Sequence, residues 1–369
     1  MKIAFDHQIF TYQSYGGISR YYKVLIENLL RLNQDVRVFA GLHQNNYISN
    51  LPSNCIKGIK LNKYPNKTIR AFQLINHIAS QAQIKSWKPD LVHETYYSER
   101  LDLRTNSAKI TTVHDMIHEL YSSNFPSKDK TTYLKKKTFK RVDHIISVSS
   151  NTKKDLVKLF NIDEFKISVV HLGVDLKFFE QYTSSKLKSV TPYILFVGAR
   201  GEYKNFSGFL KACSSSAIIK NKINILAFGG GDFSKEELLM IEKLGFNDGV
   251  IQHVTGDDGA LAGLYANALC FVYPSIYEGF GLPPLEAMAS GCPVVSSNSS
   301  SMPEVINNAG EYFDPKIKEE MIYAIEKVIT SESRQKELIE LGKKNAKLFS
   351  WKKCSDETLK IYKKFTGNI

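Results

Sequence analysis

The sequence has few cysteines and no long apolar run. Its five cysteines lie far apart along 369 residues, and none forms a C-x-x-C pair. This pattern argues against a disulfide framework and against a zinc ribbon, so a reducing cytosol fits best. No stretch approaches the ~18 unbroken apolar residues of a membrane-spanning helix, and MKIAFDHQIF lacks the long apolar core of a signal peptide. We therefore expect a cytoplasmic protein with, at most, peripheral membrane contact.

Several common catalytic motifs are also missing. There is no G-x-x-x-x-G-K-[ST], G-x-S-x-G or G-x-G-x-x-G, which argues against a P-loop enzyme, a common serine hydrolase and a nicotinamide site. The glycines 229–231 are expected to form a tight turn. The segment from His114 to His118 is similar to the zinc motif H-E-x-x-H, but a β-branched strand runs into His114 where that motif needs a helix. We therefore expect no metal.

Acidic residues are scarce relative to basic ones in the first half of the chain. Residues 1–180 contain 27 Lys and Arg against 16 Asp and Glu, a net charge of +11, whereas residues 181–369 carry +1. Such a basic half suits a phosphorylated substrate, anionic lipid or nucleic acid, although no nucleic-acid-binding module is recognisable. The densest run, Lys135–Lys137 with Lys140 and Arg141, is equally well explained as a solvated helix face.

What the sequence does contain is a repeated alternation of short β-branched runs and helical patterns. The runs are KIAF, DVRVFA, DLVHET, KITTVHD and HIISVSS, and then YILFVGA, INILAFGGG, VIQHVTG, LCFVYPS and PVVSSN. This alternation predicts two α/β domains, each a doubly wound parallel sheet. A polar Ser/Lys stretch ending at Pro192 is typical of a hinge, so we place the domains at 1–180 and 181–349, with the boundary near 175–191. Ligands of such domains bind beyond the carboxyl ends of the strands.

The most informative segment is FVYPSIYEGFGLPPLEAMASGCPVVSS. A strand leads into a glycine-rich turn, and prolines suit the first turn of the helix that follows. Gly279 and Gly281 permit close approach of a ligand to the backbone, and the amides at the helix start favour an anion such as a diphosphate. Glu286, expected in the first helical turn, can accept hydrogen bonds from a ribose. The alternative is that Glu278 and Glu286 only favour a helix N-terminus electrostatically.

Polar residues follow other predicted strands as well. Arg200 and Lys204 in FVGARGEYKNF suit a diphosphate whose charge grows as a bond to it breaks, although solvated loop cations are the commoner case. Gly16-Gly17 can bring bare backbone to a phosphate or form only a turn. His114 ends a strand where it can bind a sugar hydroxyl or a phosphate, whereas we expect His93 to be structural.

Taken together, the motifs resemble the family 4 glycosyltransferases, which are retaining enzymes of the GT-B architecture with two facing Rossmann-like domains and an interdomain cleft. The resemblance runs through YGGISRYY, TVHDMIHE, KISVVHLGVDLKFF, VGARGEYKNF, GLYANALCFVYPSIYEGFGLPPLEAMASGCPVV and FSWKKCSDETLKIYKKF. It extends to hexosyl- and mannosyltransferases of bacterial surface polysaccharides. It implies a nucleoside diphosphate sugar as donor, GDP-mannose or a UDP-sugar, and a glycan acceptor bound by the first domain.

The resemblance also implies roles for individual residues. Those near the reacting atoms are Arg200, Lys204, Glu278 and His114. Those that contact the donor are Gly16, Gly17, Val254, Gly279, Phe280, Gly281, Leu282 and Glu286. Ala199 stands where the family often has an arginine. A final helix in 350–369 is expected to cross back to the first domain.

The resemblance implies further partners and a location. The acceptor would be lipid-linked, in O-antigen, capsule or exopolysaccharide synthesis, with peripheral contact at the inner face of an anionic cytoplasmic membrane. We expect no cofactor besides the donor and no nucleic acid. Two alternatives stay open: another Rossmann-type nucleotide-sugar enzyme, such as an epimerase or dehydrogenase, and a non-catalytic nucleotide-sugar-binding protein.

Overall fold

A computed structural model describes residues 1–65, 67–99, 106–182 and 191–367. The chain divides into two compact units, Met1–Leu172 with Trp351–Ile369, and Gly173–Ser350. The expected hinge falls largely on residues 183–190, which lie outside the described residues. The domain bounds at 180 and 349 stay predictions.

The first unit contains a parallel sheet with the strand order β3-β2-β1-β4-β5-β6-β7. All neighbouring strands pair in parallel. The strands are β1 (Lys2–Phe5), β2 (Asp35–His43), β3 (Ile56–Lys60), β4 (Leu91–Glu94), β5 (Ala108–Val113), β6 (His144–Ser147) and β7 (Ile167–Val169). The direction of winding reverses between β1 and β4, and a crevice opens at such a point in doubly wound sheets.

The helices of the first half connect these strands. They are α1 (Gln8–Tyr12), α2 (Gly17–Arg31), α3 (Ile69–Trp87), α4 (Ile117–Leu120), α5 (Thr131–Arg141) and α6 (Ser150–Phe160). Short 3-10 turns lie at Ile48–Asn50, Ser53–Cys55, Ser122–Asn124 and Glu164–Lys166. Ser149 caps the start of α6 by accepting a hydrogen bond from the Thr152 amide, which satisfies one of the amides left unpaired at a helix start.

The second unit repeats the plan with the strand order β10-β9-β8-β11-β12-β13, again parallel throughout. Its strands are β8 (Tyr193–Val197), β9 (Asn224–Phe228), β10 (Ile251–Val254), β11 (Cys270–Tyr273), β12 (Val294–Ser297) and β13 (Gly310–Phe313). The winding reverses between β8 and β11. The expected fold class, two doubly wound Rossmann-like domains, is confirmed.

Nine helices among the described residues surround the second sheet. They are α7 (Leu176–Glu180), α8 (Phe206–Cys213), α9 (Ala217–Lys222), α10 (Lys235–Lys243), α11 (Asp258–Asn267), α12 (Leu282–Ala289), α13 (Met302–Ile306), α14 (Lys318–Ile329) and α15 (Glu332–Ala346), with a 3-10 turn at Glu202–Lys204. Side chains of β8, β9, β11 and β12 are buried with those of α8 and α14 in one hydrophobic cluster. This packing holds the loops after β8 and β11 at one edge of the sheet.

The last helix, α16 (Trp351–Thr366), belongs to the first unit and packs against α2. Tyr362 is fully buried, and its hydroxyl is hydrogen-bonded to Nδ1 of His93 on β4. Nε2 of the same imidazole lies 3.0 Å from Thr112 Oγ1. His93 is thus a core histidine that ties the end of the chain to the first sheet, as expected.

Lys135 differs from the expectation of a solvated helix face. Its side chain is buried, and Nζ lies 2.8 Å from Glu119 Oε2 and donates to the Asp115 carbonyl at 2.8 Å. A buried ammonium group needs such partners because desolvation without them is costly. Lys136 and Lys137 on the same helix are exposed.

Among the helices in the described part of the chain, none combines the length and the apolar character needed to cross a membrane.

Candidate functional site

The loops after β8 and β11 meet at the point where the second sheet reverses its winding. Lys204 ends the 3-10 turn after β8, and Glu278 lies in the loop after β11. The Lys204 Nζ lies 2.7 Å from Glu278 Oε1, and the two side chains are only 13% and 11% exposed. The structure therefore brings together two of the predicted catalytic residues as a largely buried ion pair.

Aromatic rings surround the ammonium group of this pair. Lys204 Nζ lies 5.3 Å from the centre of the Tyr273 ring and 5.5 Å from that of Tyr203. It also lies 3.4 Å from the Tyr273 hydroxyl. Ring faces attract a cation and exclude water around it. A charge in such surroundings acts more strongly on a neighbouring anionic group than a solvated lysine would.

Arg200 is held in a different way. Its Nε donates to Glu237 Oε1 at 2.7 Å, Nη1 donates to the Gly229 carbonyl, and Nη2 donates to the carbonyls of Gly231 and Asp232 at 2.8–2.9 Å. The three glycines from 229 to 231 all have positive φ angles of 73–84°, as expected for a tight turn. Burial would raise the pKa of Glu237, but hydrogen bonds from Arg200 and the Ser234 amide lower it below its ordinary value. Arg200 therefore clamps the turn that follows β9.

The glycine-rich turn before α12 has a geometry that only glycine adopts easily. Gly281 has a φ of +119°, and a Cβ there would lie 2.7 Å from Met302 Cε. The turn is held by two serines after β12. The Glu278 amide donates to Ser300 Oγ at 2.9 Å, and Ser301 Oγ donates to the carbonyls of Glu278 and Phe280 at 2.9 and 2.7 Å.

These two serines were not identified from the sequence. They lie in the run SSNSSS, which begins in β12 and continues beyond the end of that strand. Because β12 is the neighbour of β11, its loop reaches the glycine-rich turn. The position of that polar run after a strand was the available signal.

Glu286 lies one turn further into the helix than expected. The helix begins at Leu282, and prolines occupy its first positions, so Glu286 is in the second turn. It is 8% exposed. Burial and then the Glu286 carboxylate raise the pKa of Tyr265 well above its ordinary value. The Tyr265 hydroxyl has no hydrogen-bond partner within the described residues.

Val254 ends β10, two strands from β8 in the sheet. Its carbonyl accepts a hydrogen bond from the Gly229 amide at 3.2 Å, so it adjoins the turn that Arg200 clamps. Neighbouring strands are ~4.8 Å apart, which puts Val254 about 10 Å from the end of β8. That spacing suits a nucleoside whose phosphates lie at β8 and whose base lies at β10.

The predicted residues of the first unit are neutral. His114 directly follows β5 and is partly buried, and desolvation of its imidazole lowers its pKa to about 4 although Asp115 opposes the shift. Its ring packs edge-to-face on Tyr21 at 5.1 Å, and its Nε2 has no partner in the described part of the chain. Gly17 begins α2, and a Cβ on Gly16 would lie 2.4 Å from Gln13 Oε1.

A cavity of about 600 Å³ lies at the reversal point of the first sheet, and the sequence did not reveal it. It is formed by the residues after β1, after β4 and along one side of α3, together with the start of α5. These are His7, Gln8, Ile9, Tyr12, Gln13, Arg70, Gln73, His77, Tyr96, Tyr97, Ser98, Glu99, His118, Lys128, Asp129, Lys130, Thr131 and Leu134. The reversal between β1 and β4 would have located it, had the strand order been known.

A buried carboxylate, that of Asp6, links two loops that contribute residues to this cavity. Asp6 Oδ1 accepts hydrogen bonds from the amide and hydroxyl of Thr95 at 2.9 and 2.5 Å. Its Oδ2 accepts from Gln8 Nε2 at 2.7 Å. Because Asp6 directly follows β1 and Thr95 directly follows β4, these bonds tie together the two loops that flank the reversal point.

Within the described residues, no group of three or more His, Cys, Asp or Glu side chains is arranged to hold a metal ion. His118, which follows His114 in the zinc-like segment, lies on α4 and stacks on Phe125 at 3.8 Å. The two imidazoles therefore do not share a helix. The expectation that no metal is needed stays a prediction.

Two family models match the chain in succession. "Glycosyltransferase Family 4" matches residues 15–178, and "Glycosyl transferases group 1" matches residues 178–345. The chain belongs to the family 4 glycosyltransferases. The resemblance seen in its motifs is confirmed, and this glycosyltransferase has the expected GT-B fold.

Relatives and solved structures agree with this assignment. The glycosyltransferase is 27% identical to O-antigen chain mannosyltransferase B of Escherichia coli over 98% of this chain and 100% of that protein. It is 34% identical to O-antigen chain mannosyltransferase RfbU of Salmonella typhimurium over 64% of each chain. Its fold is similar to that of sucrose-phosphate synthase from Thermosynechococcus elongatus, with a TM-score of 0.79, 20% identity and full coverage of both chains.

Proposed function

We propose that this glycosyltransferase moves a hexose from GDP-mannose or a UDP-sugar to a hydroxyl of a lipid-linked glycan, with retention at the anomeric carbon. The bond from the anomeric carbon to the diphosphate breaks, and a bond to the acceptor oxygen forms. The acceptor proton passes to the departing diphosphate. The mannosyltransferase relatives support this proposal for surface polysaccharide, O-antigen above all.

The observation that carries the proposal is the Lys204–Glu278 ion pair beside the glycine-rich turn. Bond cleavage places negative charge on the diphosphate, and a preorganised cation stabilises that charge without reorganising solvent. When the diphosphate arrives, Lys204 gains an anionic partner and Glu278 becomes free to turn toward the donor sugar. A resting partner of this kind keeps the ammonium group in position while the site is empty.

We assign the rest of the donor to neighbouring groups. The amides of Gly279, Phe280, Gly281 and Leu282 lie at the start of α12 and suit the phosphates. Glu286 would accept hydrogen bonds from the ribose, and Val254 would flank the base. Arg200 would add positive charge, but it acts mainly by holding the turn after β9.

We assign residues of the first unit to binding of the donor sugar and of the acceptor. Neutral His114, whose Nε2 has no partner within the described residues, suits a hydrogen bond with a sugar hydroxyl. Gly16 and Gly17 at the start of α2 would face a phosphate. The cavity between β1 and β4 suits an acceptor glycan, because Tyr12 and Tyr96 offer ring faces and Arg70, Lys128 and Lys130 offer charge for a linking phosphate.

We further propose that the enzyme works at the inner face of the cytoplasmic membrane without a metal or a second cofactor. A lipid-linked acceptor requires contact with a membrane surface. The basic first unit favours an anionic one.

Purified protein incubated with GDP-mannose or with UDP-glucose tests the proposed activity. With a lipid-linked glycan acceptor, we expect acceptor-dependent release of GDP or UDP and a product that keeps the anomeric configuration of the donor. Thermal shifts with uridine, guanosine and adenosine diphosphates identify the base, because a ligand stabilises the state that binds it. Saturable nucleotide binding without any release would indicate a binding protein instead. Nicotinamide absorbance in the purified protein would indicate an epimerase or a dehydrogenase.

A further inference from the structure

Helix α3 turns apolar side chains toward solvent. Leu74, Ile75 and Ile78 are 45%, 50% and 61% exposed, and Ala71 and Ala82 are exposed as well. At 3.6 residues per turn these five positions fall within an arc of about 100° and extend for about 17 Å along the helix. Single exposed aliphatic residues are ordinary, but a contiguous stripe of this length marks an interaction surface. The five residues are called the α3 stripe below.

Polar contacts on the opposite face fix this orientation of the helix. Asn76 is buried, and its Oδ1 accepts from the Leu42 amide at 2.7 Å while its Nδ2 donates to the Leu42 carbonyl at 2.8 Å and to Thr11 Oγ1 at 3.1 Å. Ser80 is buried on the same side. Rotating the helix to bury the α3 stripe would break these bonds. The outward position of the stripe is therefore built into the fold.

The surroundings of the α3 stripe are strongly cationic. Residues 36–89 contain no Asp or Glu. They contain eight basic residues, which are Arg37, Lys57, Lys60, Lys63, Lys67, Arg70, Lys85 and Lys88. This segment forms one edge of the first sheet, since β3 is the terminal strand, and it adds a further exposed aliphatic residue, Ile59, at 65%.

Several of these cations lie beside the stripe itself. Arg37 and Lys57 line a surface depression together with Ala82 and Trp87. The Arg37 guanidinium lies 4.6 Å from the centre of the Trp87 ring. Lys85 is exposed on the helix, on the same side as the stripe at 3.6 residues per turn. The apolar and basic groups thus form one continuous surface.

We propose that the α3 stripe and its flanking cations dock this unit on an anionic lipid bilayer. Aliphatic side chains on a basic helix face insert at the boundary between head groups and acyl chains, and each lysine or arginine near the surface adds to the attraction. A second copy docked through the same surface would instead bring Arg37, Lys57 and Lys85 against their own like charges, so charge complementarity favours lipid. The inference deepens the proposed function, because it rests on a membrane-borne acceptor.

This location differs from the Lys135–Lys137 run, the densest run of basic residues in the sequence. Lys135 is buried and paired with Glu119, so that run offers fewer free charges than its sequence indicates. Helix α3 also supplies Arg70, Gln73 and His77 to the cavity of the first unit. Docking through α3 would therefore bring the proposed acceptor cavity next to the bilayer.

Vesicle co-sedimentation of the full chain tests the proposal. The probes are vesicles of phosphatidylcholine with about 30% phosphatidylglycerol, and vesicles of phosphatidylcholine alone. We expect binding to the anionic vesicles that weakens with salt. Ile75→Ser with Ile78→Ser, and separately Lys57→Glu with Lys85→Glu, should each weaken it about tenfold or more.

Two matched control variants test whether vesicle binding depends on any exposed apolar pair or on net charge alone. Leu238 and Leu239 on α10 are 53% and 55% exposed but neighbour acidic residues, so Leu238→Ser with Leu239→Ser should leave vesicle binding unchanged. Lys136→Glu with Lys137→Glu makes the same charge change elsewhere in the first unit and should weaken binding much less. Circular dichroism melting confirms that each variant is folded.

Three results would overturn the proposal. They are absence of wild-type binding to anionic vesicles, equal loss in the control variants, and a concentration-dependent dimer in sedimentation that the Ile75→Ser, Ile78→Ser variant abolishes. Sugar transfer to a water-soluble acceptor without vesicles reports separately on the proposed function. That transfer should be unchanged in the α3 variants, whereas its absence in the wild type would contradict the proposed function and leave the vesicle result intact.

Discussion

Both units are doubly wound parallel sheets with a carboxylate where the winding reverses, but the hydrogen-bond partners of that carboxylate differ between them. In the second unit Glu278 is paired with Lys204 at 2.7 Å. In the first unit Asp6 is satisfied by Thr95 and Gln8, which are neutral donors. An ion pair can be exchanged for a charged ligand, whereas neutral hydrogen bonds hold two loops in a fixed arrangement. The second unit therefore presents a paired charge at its reversal point, whereas the first unit holds its two loops there by neutral hydrogen bonds.

The histidines of the first unit extend this contrast. Burial lowers the pKa of His114 to about 4 and that of His93 to about 3. Both are therefore neutral near pH 7 and suit hydrogen bonding rather than charge stabilisation. Lys204, the paired cation of the second unit, is therefore the first residue to replace.

Replacing Lys204 by alanine should have the largest effect. We expect kcat for nucleoside diphosphate release to fall about 10³-fold, because the charge on the departing diphosphate loses its preorganised cation. The measurement is acceptor-dependent release of GDP or UDP, with circular dichroism to confirm folding. Lys211→Ala, on an exposed site of α8 in the same unit, is the matched control and should be near normal. Equal activity of the two variants would remove Lys204 from the mechanism.

Acid should destabilise the first unit before the second. The pKa values of His93 and His114 are lower in the folded state than the ordinary 6.5, so the unfolded chain binds protons more readily. Stability is full above pH 6.5 and falls as pH drops toward 4. Between pH 6.5 and 5 each buried imidazole costs about 2 kcal/mol.

Tryptophan fluorescence follows this acid transition selectively, since both tryptophans, Trp87 and Trp351, lie in the first unit. Hydrogen exchange measures the second unit, where His253 is the single histidine in the sequence. His114→Phe should move the fluorescence transition to lower pH. The contrast between the units fails if protection in the second unit is lost at the same pH as the fluorescence signal.

Arg200→Ala should show whether Arg200 mainly holds the turn after β9 or mainly stabilises the charge of the diphosphate. The guanidinium bonds three carbonyls and Glu237, and its removal takes this donor from the three carbonyls and leaves Glu237 with the Ser234 amide. We expect a loss of about 2–3 kcal/mol in the unfolding free energy of the second unit, measured by urea denaturation. Lys204→Ala should cost less stability but more kcat. The reverse ranking would mean that Arg200 acts chiefly on the diphosphate.

The sequence predicted most of the sheets because alternation is a local signal. Ten strands were identified from β-branched runs, whereas β3, β7 and β13 were missed. These contain IKGIK, ISV and GEYF, which are short or carry Lys, Gly and Glu in place of a continuous apolar run. Helix starts were also readable, as at Ser234, whose capping box precedes α10.

What was not predictable depends on partners distant along the chain. The Arg200 guanidinium is already hydrogen-bonded, because the turn after β9 folds back onto it. Lys135 is buried because it pairs with Glu119, which lies 16 residues earlier in the sequence. Periodicity in α3 does not show which face meets the sheet, and there the buried face is set by Asn76. Strand ends indicate where site residues lie, but not which of them are already bonded.

Tyr362→Phe should give the smallest effect and tests how the last helix is held. The hydroxyl bonds Nδ1 of His93 within the first unit, while the ring remains packed after the change. A single such bond contributes about 1 kcal/mol, so urea unfolding followed by tryptophan fluorescence should shift by that amount, with kcat unchanged. Tyr323→Phe, at a site 69% exposed on α14 of the second unit, is the control and should be neutral. A kcat loss in Tyr362→Phe would show that α16 does more than close the first core, because the removed hydroxyl is bonded to the buried imidazole of His93.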